Sequence, residues 1–262
     1  MRAALHGTPV VLAGLLVWNI GNYAFFVIAG RSLGPQAYAS VAALLSATML
    51  VQIPAGAVQI GISRQIADLD DPDGPDGTWL MRHAMASCIG AGAIAAVATG
   101  IVIRFVAPSL PIAAVLWTAL AVLPIPAFAL ATGILQGRQR FVPFSVSVSM
   151  LGIPRPLVLL LLLGAASGLV AAMAASAIAV ALAAVTAVVL AAPRLHEVPN
   201  PPPLERWRAF RRTIAPLAAG LAGFGVLVNL DIIVGRAAFS EQTAGLFGAV
   251  GVLAKATVIV PQ

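Results

Sequence analysis

An arginine set between two prolines, Gly152-Ile153-Pro154-Arg155-Pro156, sits in the middle of a long apolar run. A charged side chain at the centre of a hydrocarbon layer costs about 2.5–3.5 kcal/mol on insertion scales, so a charge there needs a partner or a task. Counted from Val142, Arg155 lies about 20 Å along a helix that rises 1.5 Å per residue, too deep to reach either surface with ease. The flanking prolines remove two backbone donors and kink or break the helix beside it. Freed carbonyls and a guanidinium at mid-depth resemble the interrupted helices at which transporters hold substrates, and a planar guanidinium suits bidentate phosphate recognition. Two readings follow. Arg155 faces a watery cavity and meets a phosphate group, or it caps carbonyls exposed by the kink.

Two further charges lie within apolar runs, near the carboxyl end. Asp231 precedes Arg236 by five residues, about 7–8 Å from the end of its run, and Lys255 lies about 16 Å into the next run, counted from Ala244. The difference of about 9 Å slightly exceeds what a lysine stem covers. Asp231 therefore reads either as an ion-coupling carboxylate that trades sodium or a proton, or as an interfacial partner of Arg236 or Lys255. Lys255 divides between a substrate phosphate and structural pairing. Arg31 and Arg236 close matching runs, as anchors or as a rim attracting an anionic substrate, and Arg64 carries the same ambiguity on the opposite side. Asn19, Asn22 and Asn229 need partners in lipid and read as helix-packing groups.

The elements that position these residues follow from composition. Of 262 residues, 60% are hydrophobic and 9% charged, against about 25% charged in an average soluble domain, and mean hydropathy is +1.00. That apolar surface has one suitable solvent, lipid. The fold class expected is all-α, a polytopic membrane helix bundle. The net charge of +6 does not signal nucleic acid, because the arginines stand one to three at a time between apolar runs and form no dense stripe. Cys88 is the only cysteine and lies in an apolar run.

A membrane crossing needs about 20 apolar residues. Spans are predicted at 9–29, 38–62, 84–106, 111–135, 142–163, 169–192 and 213–235, with an eighth beginning near 244. The first reads as a retained helix, because it lacks a cleavage region. With the amino terminus in the cytoplasm, the inner loops carry Arg2, Arg64, Arg82, Arg138, Arg140, Arg194, Arg206, Arg208, Arg211 and Arg212, and the outer loops carry Arg31, Arg104 and Arg236. This asymmetry follows the positive-inside rule and predicts a multi-pass protein of the cytoplasmic membrane. Residues 68–77 form an acidic turn, read as a solvated loop. A calcium loop with Gly74 at its sixth position would put Leu69 and Leu80 at ligating positions, and neither can ligate. Residues 193–212, rich in proline and arginine, form a semi-rigid cytoplasmic linker. It divides a six-helix lobe (1–192) from the start of a second (213–262).

Enzymatic motifs fail. Gly90-Ala91-Gly92-Ala93-Ile94-Ala95 fits a loose dinucleotide fingerprint but follows no strand, so close helix packing is the better reading. There is no nucleotide-binding P-loop, and His6, His83 and His196 have no metal-ligand spacing. No enzyme activity, cofactor or metal is expected.

The second lobe repeats the first: Gly30-Arg31 followed by Leu33-Gly34-Pro35-Gln36 is echoed by Gly235-Arg236 followed by Phe239-Ser240-Glu241-Gln242. An even number of spans separates the copies, the pattern of parallel repeats. A second lobe of equal size needs about four more helices after the eighth span, so a longer protein is expected. The segments Asn22-Tyr23 through Tyr38, Leu135-Gln136-Gly137-Arg138-Gln139-Arg140-Phe141, and Asn229-Leu230-Asp231 through Leu253-Ala254-Lys255 resemble the polysaccharide-export and oligosaccharide-flippase family of the multidrug/oligosaccharidyl-lipid/polysaccharide exporter superfamily. The resemblance implies two six-helix lobes around a central cavity and movement of a polyprenyl-pyrophosphate-linked glycan between leaflets by alternating access. It also implies glycosyltransferases and a glycan polymerase as neighbours in the membrane. The alternatives are a cation-coupled small-molecule exporter of the same superfamily and a non-transporting scaffold of a glycan-assembly complex.

Overall fold

Hydrocarbon offers the backbone no water, so a chain this apolar must satisfy its N–H and C=O groups within each segment, as helices do. A computed structural model of the chain describes residues 2–69, 71, 73–192, 212, 216–228, 234, 239, 243 and 250–251. Its elements are α1 (Arg2–Ala67), α2 (Pro75–Val106), α3 (Ile112–Val122), α4 (Ile125–Gly137), α5 (Phe141–Gly152), α6 (Pro154–Leu162) and α7 (Gly168–Ala191), followed by α8 (Pro216–Val228). No strand occurs among the described residues.

Helix α1 is two passes. Gly34 has φ 74° and ψ 167°, a conformation that only glycine adopts without steric cost, and the helical path breaks there. Beyond it the chain folds back. Trp18 and Gln52, Asn22 and Thr48, and Phe26 and Leu45 line one cavity, and the Phe26 ring lies 6.5 Å from that of Tyr38. These pairings are those of an antiparallel hairpin centred near Gly34. Two more breaks come at prolines. Pro124 separates α3 from α4, and Pro154 opens α6 directly after α5, where a ring without an N–H cannot continue the ladder.

Among the described residues, five continuous stretches are long and apolar enough to cross a membrane: Gly7–Ala67, Met81–Val106, Ile112–Gly137, Phe141–Leu162 and Gly168–Ala191. The first is the hairpin, so the described passes number six, as the sequence predicts for residues 1–192. The clearest sign of a lipid surroundings is α2. Its most apolar window has a mean hydropathy of 2.1, yet only 17% of that window is buried, and Phe105 is 89% exposed. A helix that is greasy on every side and covered on few belongs in lipid.

The core runs in layers along the bundle. At one end Phe25, Ala29 and Val41 pack with Ile103, Val115 and Leu159. At the other, Ile62, Ile66 and Met81 pack with Leu135, Phe144 and Ala191. Ala55, Ala96, Val122 and Ile125 fill the middle. The connections therefore alternate between the two ends, as the arginine distribution predicts. Helix α8, the start of the seventh predicted span, places Ala218 and Leu221 against the core. The 193–211 part of the linker and nearly all of the eighth span lie outside the described residues.

Glycines set the spacing of the passes. Gly7, Gly14 and Gly21 recur every seven residues and face Phe141, Ser145 and Gly152. A Cβ on Gly14 would stand 2.8 Å from the Ser145 Cα, and one on Gly152 would stand 2.7 Å from the Trp18 Cα. The approach is close enough for the Ser145 hydroxyl to donate to the Val10 carbonyl at 2.6 Å. Small residues allow this backbone proximity in membrane helices. Gly92 packs against the Leu123 carbonyl, so the glycine-rich 90–95 stretch serves packing. Replacing Gly14 by leucine is expected to destabilise the fold by about 3 kcal/mol, the upper range for overpacking. Gly90→Leu, where an added Cβ meets nothing within 4 Å, should be near neutral. Unfolding of both variants in detergent micelles checks the contrast.

Candidate functional site

Three proline-bearing passes converge at mid-depth. The second half of α1 contains Pro54, the α3–α4 pass breaks at Pro124, and the α5–α6 pass breaks between Gly152 and Pro154. Between them is a cavity of about 70 Å³ lined by Trp18, Asn22, Phe26, Thr48, Gln52 and Ile125 together with Arg155, Ser176 and other residues. That volume admits about two water molecules at ~30 Å³ each.

Among the described residues, Arg155 is the only charged group lining this cavity. Its Nε donates to the Ser176 hydroxyl at 3.1 Å, and one terminal nitrogen donates to the Asn22 side-chain oxygen at 2.5 Å. The guanidinium carbon stands 4.3 Å from the centre of the Phe25 ring, within the range of a cation–π contact. Ser176 in turn donates to Ala172 O at 2.8 Å, which turns its lone pairs toward the arginine. The guanidinium carries five N–H groups. Two are engaged, and three have no protein acceptor among the described residues. The ion pairs recorded there involve Arg138 and Arg140 and leave Arg155 without a carboxylate. The guanidinium thus borders the cavity. Its bonds run to side chains of the first and last passes, not to carbonyls freed by the kink.

A second arginine is sequestered at the acidic-turn end. The Arg138 side chain is 1% exposed. Its Nε lies 3.1 Å from Asp73, and Asp73 also meets Arg140 at 3.8 Å. Another Arg138 nitrogen donates to the Ala191 carbonyl at 2.8 Å, capping the carboxyl end of α7 where carbonyls lack helical partners. Burial lowers the Arg138 pKa from its ordinary value, and the Asp73 carboxylate opposes that shift. The acidic turn is therefore more than the solvated loop expected from sequence. Asp71 also accepts from the Asp73 N–H at 3.1 Å, which shapes the turn that presents Asp73. The predicted loop composition carried no sign of this pairing, because Asp73 and Arg138 stand far apart in the chain.

The remaining site residues separate. Arg31 and Arg64 are both exposed, at opposite ends of the hairpin, and neither lines the Arg155 cavity. Asp231, Arg236 and Lys255 lie outside the described residues. Asn22 joins helices as expected, but through Arg155, whereas Asn19 donates to Leu15 O within its own helix at 2.8 Å. Ser176 is the site residue that sequence reasoning missed. A serine in an alanine-rich helix carries no signal by itself, and only its facing Arg155 distinguishes it. Gln52 and Thr48 were missed as well, because the cavity they share depends on the turn at Gly34.

No family model matches the chain, and no curated protein or solved structure matches it.

Asp73→Asn removes the counter-charge of a buried guanidinium. Losing the partner of a fully buried charge costs about 3–5 kcal/mol. Asp73 is 54% exposed, so a loss of about 1–2 kcal/mol is expected after solvent screening. Unfolding of Asp73→Asn beside Arg140→Gln, which loses only the longer contact, measures it.

Proposed function

We propose that this chain carries the first lobe of a membrane transporter that moves a phosphate-bearing, lipid-linked glycan across the cytoplasmic membrane by alternating access. The observation behind this reading is the Arg155 guanidinium. It borders a cavity at mid-depth, is held by neutral dipoles, and keeps three N–H groups without an acceptor among the described residues. Such a group attracts an anion and offers the planar donor geometry that phosphate accepts. At about 70 Å³ the cavity admits water and not a glycan headgroup. The described arrangement is then a closed one, and substrate entry requires the broken passes to move apart.

The proposed orientation puts the acidic turn in the cytoplasm. Arg64, Arg82, Arg138 and Arg140 share that end, and Arg31 and Arg104 the other, in keeping with the positive-inside rule. Asp231 is the residue proposed to couple transport to sodium or protons, with Lys255 and the rims at Arg31, Arg64 and Arg236 as further substrate contacts. No cofactor or catalytic step is involved in this reading. The cation-coupled exporter is less well supported, because that reading predicts acidic residues lining the first lobe and the six described passes contain none.

Arg155→Gln in the chromosomal copy should leave the protein in the membrane at normal abundance while polyprenyl-linked glycan accumulates on the inner leaflet. A tenfold fall in translocation corresponds to about 1.4 kcal/mol, close to the low end of the roughly 1.5–3 kcal/mol lost when a hydrogen bond to a charged group is removed. Arg155→Lys, which keeps the charge but not the fork, should fall between the two. Normal glycan distribution in Arg155→Gln at normal abundance would refute the proposal.

A further inference from the structure

A second cavity, of about 650 Å³, lies outside the bundle between α2 and α3. Its walls include Val97, Gly100, Ile101, Phe105, Leu116 and Leu120, and most of these side chains are heavily exposed. Among the described residues on it, Arg104 alone is charged, in the last turn of α2. One terminal nitrogen of Arg104 donates to Pro108 O at 2.5 Å and lies 3.4 Å from Leu110 O. Those carbonyls belong to the connection that follows α2, so they pin the guanidinium at the groove's mouth, at the end of the bundle away from the acidic turn.

Three features define an occupant. The first is length. The groove runs from Ile112 to Leu123 along α3, about 16 Å at 1.5 Å per residue. Half of a hydrocarbon core about 30 Å thick is about 15 Å. The groove therefore extends from one membrane surface to mid-depth, where Leu123 meets Gly92 and the α3–α4 pass breaks. The second is polarity. Away from Arg104 the walls are apolar, so they suit a hydrocarbon chain. The third is charge. Arg104 has no carboxylate partner among the described residues, and the described connections at its end, residues 31–37, 107–111 and 163–167, contain no Asp or Glu. Its counter-anion has to come from outside these passes.

We propose that the α2–α3 groove binds one membrane phospholipid of the leaflet at that end, with an acyl chain along the groove and an anionic phosphate headgroup on Arg104. The site is separate from the Arg155 cavity and does not depend on what that cavity transports. The bound lipid fills a gap between two passes that otherwise face hydrocarbon with an open cleft, and it closes the charge balance at the mouth.

Native mass spectrometry of the 262-residue chain, released from micelles containing equal phosphatidylglycerol and phosphatidylcholine, tests this. Wild type should retain one phospholipid with about a fivefold preference for phosphatidylglycerol, the scale of one basic residue acting on an anionic lipid. Arg104→Gln should lose the preference and keep the lipid. Arg104→Lys should keep most of the preference, which separates a loss of charge from a loss of fold. Gly100→Phe fills the groove, since the Gly100 face lies open except for the Ala119 Cβ at 3.8 Å, and should reduce retention of both lipids about tenfold. The proposal is overturned by equal retention of the two lipids in wild type, by an unchanged preference in Arg104→Gln, or by unchanged retention in Gly100→Phe. A dimer with the groove covered by a second copy would overturn it as well.

Discussion

A permanent cation in the middle of an apolar bundle is the constraint to which this architecture answers. Arg155 cannot discard its charge, because a guanidinium stays protonated at any pH the protein meets. It cannot reach a surface either. The surrounding passes respond with dipoles and a π face: Asn22 from the first pass, Ser176 from the last, and the Phe25 ring. These contacts stabilise the ion and leave its charge uncancelled. They also tie together passes remote in sequence, since Arg155 and Asn22 are 133 residues apart. The cation is thus a fastening of the fold as well as the source of the cavity's field.

Such a fastening works only if the passes can approach closely, and in lipid the hydrophobic effect does little to press helices together. The glycines at 14, 21 and 152 remove the side chains that would hold the first and fifth passes apart, and Gly133 and Gly137 do the same for α4 against Gln59 and Ser63. Direct backbone contact replaces side-chain interdigitation and fixes the rotation of the first pass, which determines that Asn22 points toward Arg155. The same rotation sends Leu16, Ile20 and Tyr23 outward, where they are strongly exposed.

Much of this was legible in the sequence, and the portion that was not has a common cause. The predicted passes at 111–135, 142–163 and 169–192 agree with the helical stretches Ile112–Gly137, Phe141–Leu162 and Gly168–Ala191 to within two residues, because bilayer thickness prescribes the length of an apolar run. Helix α2 starts at Pro75, nine residues before the predicted span at 84. Hydropathy marks where lipid begins, whereas a helix can continue into water. The break beside Arg155 was readable from its prolines, since a missing N–H is a local property. The partners of Arg155 and Arg138 were not, because Asn22, Ser176, Asp73 and Ala191 become neighbours only through the order in which the passes pack. Hydropathy constrains that order very weakly, since every apolar face can also be covered by lipid.

The two sequestered arginines show how the same side chain takes different roles. Arg138 meets a carboxylate and a helix-terminal carbonyl, so its charge is spent on Asp73 and on the dipole of α7. Among the described residues, Arg155 meets only uncharged groups. Two unit charges 4 Å apart interact by about 4 kcal/mol at an effective dielectric constant near 20. A carboxylate placed where Asn22 stands would therefore compete strongly with any incoming anion. The asparagine orients the guanidinium and does not neutralise it. Six passes without an acidic residue then mean more than tolerance of lipid. Within those six passes no carboxylate competes for the Arg155 guanidinium, whose described partners are a serine, an asparagine and an aromatic ring.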